Sequence, residues 1–425
     1  MTTATQPDSP RTRTARSLAD RVIGLDLARF LALIGMMATH LWVGGDEAPA
    51  LTAALEGKAA ALFALLAGVG IVLTTRTALA EGRVGAASLA VFGRGLALIF
   101  VGLTLGLLPN FLLVILVYYG VTFWLVIPML RWSSSALIAL AAAWAVLWPF
   151  LSSILRAPLR DPIELESANW ANLADPITFV RGLFVSGAYP AFTWVVYTMI
   201  GMVVGRLIVA AWKRGAIRSV GLRLAAVGVV VAVAASGLSA LLAGPLGGLA
   251  ALAHETPADG APVRQVFYAQ SMGAPVPGNL WWLTSPAPHS GTFFDLAITT
   301  GTALFTIGLC LAIGSAMNSL AKRILAPVTG AGGAPLTIYA AHIVAASVAL
   351  ILTSLAGADS AGRPPWQIDS PQLWALHIAG ALLIGWVLTL IKRRGPLETF
   401  VSWSGRCFAK LSHDRRGTPR RRLDG

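Results

Sequence analysis

Apolar residues in this chain fall into unbroken runs of about twenty, at 22–43, 57–75, 88–108, 111–130, 134–155, 191–211, 220–243, 293–317, 334–355 and 372–391. A helix rises 1.5 Å per residue, so each run covers about 30 Å, the thickness of a bilayer's hydrocarbon. A membrane β-barrel would instead alternate apolar and polar positions. The pattern therefore predicts an all-α, polytopic integral membrane bundle of about ten transmembrane helices. The block 88–130 is the least regular, because "LLPN" (Leu107 to Asn110) must turn the chain tightly between two spans; proline and asparagine favour such a turn.

Polar residues inside the runs change this picture most. The first run reads "RVIGLDLARFLALIGMMATHLW" (Arg21 to Trp42) and carries Asp26, Arg29 and His40. At 100° per residue, Arg29 lies about 20° and Asp26 about 40° from His40 around the helix axis, so the three share one stripe. Arg29 and His40 are about 16 Å apart along the axis. A charge facing lipid costs roughly 2.5–3.5 kcal/mol or more, so such a stripe lines a water- or ligand-filled path. The plainer account is an i,i+3 ion pair at the start of the helix and an interfacial histidine. Tyr339 and His342 make a second i,i+3 pair, deep in the ninth run. For His342, a functional role and simple hydrogen bonding between helices weigh equally.

Composition agrees: 56% of the 425 residues are hydrophobic and 12% charged, with mean hydropathy +0.72, where a soluble domain carries about 25% charged residues. The net charge of +13 is distributed as the positive-inside rule requires. With the N-terminus in the cytoplasm, the inner segments receive Arg76, Arg83, Arg131, Lys213, Arg214, Arg218, Lys322, Arg323, Lys392, Arg393, Arg394 and the basic C-terminus. The outer ones receive Lys58, Arg156, Arg160, Arg181, Arg264 and Arg363. This predicts a plasma-membrane protein with both termini cytoplasmic. It also accounts for "RRGTPRRR" (Arg415 to Arg422) as a topogenic or lipid-headgroup tail, without nucleic acid. The first apolar run is long and lacks a small-residue cleavage site, so it is expected to remain. Two cysteines, Cys310 and Cys407, form no disulfide framework and have no metal-ligand spacing. The chain is thus parsed as a disordered cytoplasmic tail (1–20), a transmembrane domain (21–395) with outer loops at about 156–190 and 244–292, and a basic cytoplasmic tail (396–425). The 244–292 loop, with Trp281, Trp282, His254 and His289, is a docking place for a polar ligand or a floppy loop with an interfacial anchor.

The first span resembles that of bacterial membrane proteins in the superfamily of the YeiB-like group and of heparan-α-glucosaminide N-acetyltransferase, whose pattern is Arg-x-x-x-Leu-Asp-x-x-Arg-Gly-x-Ala-x-x-Gly-Met. Phe30 stands where the pattern has glycine. The resemblance continues in "ALFALLAGVGIVL" (Ala61 to Leu73), "VILVYYGVTFWLVIPML" (Val114 to Leu130), "LFVSGAYPAFTWVVYTMIGMVVGRL" (Leu183 to Leu207), "PHSGTFFD" (Pro288 to Asp295), "APLTIYAAH" (Ala334 to His342) and "RGPLETFVSW" (Arg394 to Trp403). It implies transfer of an acyl group, acetyl above all, from cytoplasmic acetyl-CoA or another acyl-CoA to an extracytoplasmic sugar or glycolipid.

Attack of a sugar hydroxyl on a thioester needs a base with pKa near neutrality, and histidine is the side chain with that unperturbed value. It can also take the acyl group as a nucleophile. His40 and His289 are the candidates nearest the outer face, with Asp295, Asp46 or Glu47 as orienting carboxylates. Asp26, Arg29 and Arg94 are assigned to the CoA side, where guanidinium groups pair with phosphate, and Arg76 and Arg83 lie near the same face. Tyr339, His342 and Trp282 are assigned to the acceptor's path. His377, His254 and His413 are expected to be bystanders. No metal site is expected, and "GAGGAP" (Gly330 to Pro335) reads as a flexible lead-in to the ninth span rather than a nucleotide loop. Membrane lipids are the expected surroundings, and a homo-oligomer is left open. The alternative function is a non-catalytic transporter or flippase that uses the same polar stripe as its pathway.

Overall fold

The computed structural model describes residues 22–42, 55–109, 112–159, 164–255, 260–269, 271, 273–356 and 369–414. Among these residues nine helices are long and apolar enough to cross a membrane, and no named strand forms. They are α1 (Ile23–Leu41), α2 (Lys58–Ala80), α3 (Val84–Leu105), α5 (Ser134–Arg156), α6 (Ala191–Lys213), α7 (Ile217–Ala243), α8 (Phe293–Ala316), α10 (Pro335–Ala356) and α11 (Pro371–Leu390). Among the shorter or more polar helices are α4 (Leu116–Leu125), α9 (Ala326–Gly332) and α12 (Pro396–Asp414). The protein is an all-α polytopic bundle.

Burial sorts the helices into inner and outer ones. α1, α2, α3, α4, α6 and α8 supply most of the core, whereas α7 and α11 leave Leu222, Val230, Val233, Leu383, Trp386 and Leu390 exposed. In water such a surface would aggregate; in a bilayer it meets acyl chains, which is why outer helices here are apolar all round. Between inner helices there is no hydrophobic drive once lipid is the solvent, so close approach of small residues does the work. A Cβ on Gly68 of α2 would collide with the Thr198 carbonyl of α6, and one on Gly201 of α6 with the Leu65 carbonyl of α2.

The run 111–130 is not the continuous span expected. From Leu112 the chain is non-helical to Ile115, then forms the ten-residue α4 and a short 3-10 turn, Ile127–Met129. Pro128 within that turn cannot donate to a helix ladder and disfavours helical geometry just before it. The backbone that a helix would have satisfied internally is served by a loop: Ser167 Oγ accepts from Val114 N–H at 3.0 Å and donates to the Leu112 carbonyl at 3.0 Å. Non-helical backbone at this depth is tolerated because protein surrounds it.

The C-terminal segment also differs from expectation. Much of 396–425 is α12, which lies along α3: Ser404 Oγ donates to the Gly93 carbonyl at 2.7 Å and Phe408 packs edge-on against Phe92. "GAGGAP" is not flexible either. Its first residues end α9, where a Cβ on Gly332 would overlap the Asp26 carbonyl oxygen and one on Gly330 the Gly385 carbonyl oxygen. These glycines bring α9 against α1 and α11. The described parts of the two long loops are folded too. Glu164 is held by Arg181 and by Ser186 Oγ at 2.8 Å. The second loop builds a small core of its own from Ala243, Leu252, Val266, Phe267 and Trp282.

Candidate functional site

One cavity of about 840 Å³ runs from the Asp26 end of α1 to its His40 end. α1 contributes Asp26, Arg29 and His40, the stripe that helical periodicity places on one face, together with Met36 and Thr39 beside it. α2 contributes Phe63 and Leu66, α3 Arg94 and Leu98, α4 Leu116, Tyr119 and Phe123, and α10 Tyr339. The middle is thus apolar and aromatic, and the two ends are polar.

The Asp26 end is cationic. Arg29 Nη1 donates to Asp26 Oδ1 at 2.8 Å, so this pair is locally neutral. Arg94, Lys392, Arg393 and Arg394 line the same end, and among the described residues no ion pair is recorded for any of the four. Arg394 and Arg406 lie close enough to Arg94 to repel it. Lys392 adopts the left-handed backbone region (φ 52°), which turns the chain sharply after α11. Glu398, also on the lining, is spent on structure: it accepts from Leu336 N–H at 2.6 Å, Thr337 N–H at 3.1 Å and Thr337 Oγ1 at 2.6 Å, capping α10. With Asp26 engaged by Arg29 and Glu398 by the start of α10, the four cations make a site for a polyanion.

The His40 end carries His40, His289, Tyr189 and Glu56. His289 also lies in the left-handed region (φ 61°), which is uncommon for a residue with a side chain. Its ring meets Tyr189 edge-on, with centroids 5.7 Å apart. Burial, with Lys58 adding repulsion, pushes the His289 imidazole down to about 4, so it is neutral at physiological pH.

Asp295 stands apart from the main cavity. The Thr292 side chain caps α8 by accepting from Asp295 N–H at 3.1 Å, which fixes the carboxylate in the first turn, where it accepts from Gly291 N–H at 3.0 Å. It shares a pocket of about 10 Å³ with His289, Gly57 and Tyr197; its carboxylate accepts from the Gly291 amide and feels the charge of Lys58. Trp282 lies in the small core of the 244–292 loop and does not line the cavity. Asp46 and Glu47 fall outside the described residues.

His342 sits behind His40 and is 2% exposed. His40 Nδ1 is 3.0 Å from His342 Nε2, and His342 Nδ1 is 2.7 Å from His377 Nδ1 on α11. Because Nδ1 of His40 is engaged, its Nε2 is the nitrogen left for the cavity. Metal ligands must converge on one point. Here His342 uses its two opposite nitrogens for two different neighbours, so the three rings form a line and not a tripod.

Residues that sequence reasoning misses belong to both ends. His377 reads as a bystander in the sequence, yet the rule that flags an ionisable residue inside a span applies to it as fully as to His342. Lys392, Arg393 and Arg394 read there only as topogenic charges. Tyr119, whose hydroxyl donates to the Ala60 carbonyl at 2.8 Å, and Tyr189 carry no signal that separates them from other core aromatics. Comparison with known protein families and with curated proteins gives no match to the chain.

Proposed function

We propose that this protein is a membrane acyltransferase that takes an acyl group, acetyl in the simplest case, from acyl-CoA at the Asp26 end and gives it to a hydroxyl or amino group of a saccharide or glycolipid at the His40 end. The Asp26 end faces the cytoplasm on this reading, as the distribution of Lys and Arg demands, in a plasma membrane. The observation that carries the reading is one continuous cavity with a cluster of cations at one end and imidazoles at the other. Arg29 and His40 are about 16 Å apart along α1, a span suited to an extended pantetheine arm. The motifs of the first span, which resemble those of the heparan-α-glucosaminide N-acetyltransferase superfamily, support the same chemistry.

The residues divide the work. Arg94, Lys392, Arg393 and Arg394 hold the donor's phosphates, with Arg29 oriented by Asp26. Phe63, Leu66, Leu98 and Phe123 line the apolar middle and exclude water from the thioester. His40, through Nε2, accepts the proton of the acceptor hydroxyl as its oxygen attacks the acyl carbon. His289, neutral and fixed by its backbone, orients the acceptor.

The test replaces each histidine in the purified protein. With acetyl-CoA as donor and glucosamine as acceptor, His40→Gln should lower CoA release by about 100-fold or more, because glutamine keeps a hydrogen-bonding side chain and removes the base. His289→Ala should raise KM for the acceptor with a smaller effect on kcat. Normal turnover in His40→Gln with loss in His289→Ala would exchange the two roles, and no effect of either would refute the mechanism.

A further inference from the structure

Four of the chain's six histidines meet at one end of the bundle, and three of them, from three helices, stand in line. The His40 and His342 rings are within 10° of parallel with centroids 5.3 Å apart. Together with the 3.0 Å nitrogen separation, that is the geometry of an in-plane N–H···N bond rather than of face-to-face stacking. His342 then meets His377 at 82° with centroids 4.8 Å apart and nitrogens 2.7 Å apart. A neutral imidazole has one donor and one acceptor nitrogen, so a line of three has only two consistent settings. In the first, His40 Nδ1–H donates to His342 Nε2, His342 Nδ1–H donates to His377 Nδ1, and His40 Nε2 is a free base facing the cavity. In the second, every proton is shifted one place and His40 Nε2 carries a hydrogen.

We propose that His40, His342 and His377 form a three-ring proton relay, in which His342 and His377 are positioning residues that select the reactive tautomer of His40 and hold the proton while acyl transfer proceeds. Its purpose rests on the acyltransferase reading; its geometry does not. As the acceptor's O–H bond breaks and its oxygen bonds to the acyl carbon, that proton goes to His40 Nε2. The His40 Nδ1 proton moves to His342 Nε2, and the His342 Nδ1 proton to His377 Nδ1. The positive charge rests on His377, away from the reacting atoms. When the C–S bond breaks, each proton steps back and the one on His40 Nε2 passes to the thiolate sulfur, so no proton is gained or lost overall. A thiol, with pKa about 8.5, takes it readily at neutral pH. A buried carboxylate behind a catalytic histidine fixes its tautomer and stabilises the imidazolium without taking the proton; two more imidazoles fix the tautomer here and take the proton as well. Among the described residues, the other titratable groups at this end include His289 and Asp295 from around the start of α8, Glu56 and Lys58 from the start of α2, and Tyr119, Tyr189, Tyr197 and Tyr339.

The full-length protein, labelled with 15N-histidine and placed in lipid bilayers, tests this without any ligand, because nitrogen shifts report which ring nitrogen is protonated. Wild type should show His40 as the Nδ1–H tautomer, and as pH falls the His40 and His377 signals should move together at one midpoint. In His342→Gln the midpoints should separate, and in His377→Gln His40 should become a mixture of tautomers. An identical His40 titration in wild type and in both variants overturns the relay. If His342→Gln does not fold, His377→Gln, at a half-buried ring, decides the question alone: an unchanged His40 tautomer there overturns the relay. In turnover of acetyl-CoA with glucosamine, His342→Gln should lower kcat by about 10- to 100-fold, leave KM for acetyl-CoA unchanged and move the acid limb of the pH profile. Joint titration in a protein that releases no CoA would keep the relay and refute the acyltransferase reading. Independent titration in an active protein would refute the relay alone.

Discussion

Arg29 shows how one side chain serves two demands: its pair with Asp26 makes a charge tolerable inside a span, and its place on the cavity leaves it in reach of an anion. Arg29→Ala should weaken acetyl-CoA binding by about tenfold or more, the worth of one charge-assisted hydrogen bond, measured by titration calorimetry on the folded variant. Unchanged affinity would reduce the pair to a structural role. His289 offers a pH test. Its folded value is depressed to about 4 by burial first and Lys58 second, while an unfolded histidine titrates near 6.5. Between these values the unfolded chain binds more protons, so His289 costs stability as pH falls from about 6.5 to about 4. His289→Gln should flatten the fall of melting temperature over that window; an unaltered slope would assign the loss to other groups. The stripe of Asp26, Arg29 and His40 is legible in the sequence because one helix carries all three at fixed angles. The line from His40 through His342 to His377 is not, since no spacing rule relates residues on α1, α10 and α11.

At the scale of elements, hydropathy locates the nine long helices to within a few residues, because a run of twenty apolar residues has few other uses. It fails at α4, where an apolar run is broken by Pro128 and completed by Ser167, since hydropathy does not register whether backbone groups are satisfied within the segment or from outside it. It fails again at α12, whose polar face reads as a tail while its apolar face lies on α3. Glu398 joins α12 to α10, so Glu398→Ala should remove the cap of α10 and cost about 1–3 kcal/mol, seen as a lower melting temperature with weaker ordering of α10 in hydrogen exchange. Gly332→Leu should cost about 1–3 kcal/mol or prevent folding, because the side chain must displace the α1 backbone at Asp26. A fully stable Gly332→Leu protein would show that α9 does not approach α1 this closely.

For the molecule as a whole, the exposed apolar faces of α7 and α11 fit a protein that sits in lipid, and the bias of Lys and Arg is the basis for proposing that the Asp26 end faces the cytoplasm. A cysteine introduced at Ser271, in the long loop between α7 and α8, should react with impermeant reagents added from outside the cell; reaction only from the cytoplasm would invert the topology. The central claim is that one cavity carries an acyl group from a donor bound at the cationic end to an acceptor at the histidine end. Its most direct test is made in sealed vesicles whose protein molecules have the Asp26 end outward, with labelled acetyl-CoA outside and glucosamine trapped inside. The account predicts that label accumulates on the trapped glucosamine in step with CoA released outside, and that His40→Gln abolishes both. Glucosamine crossing the membrane with every thioester intact would contradict it and mark the protein as a transporter.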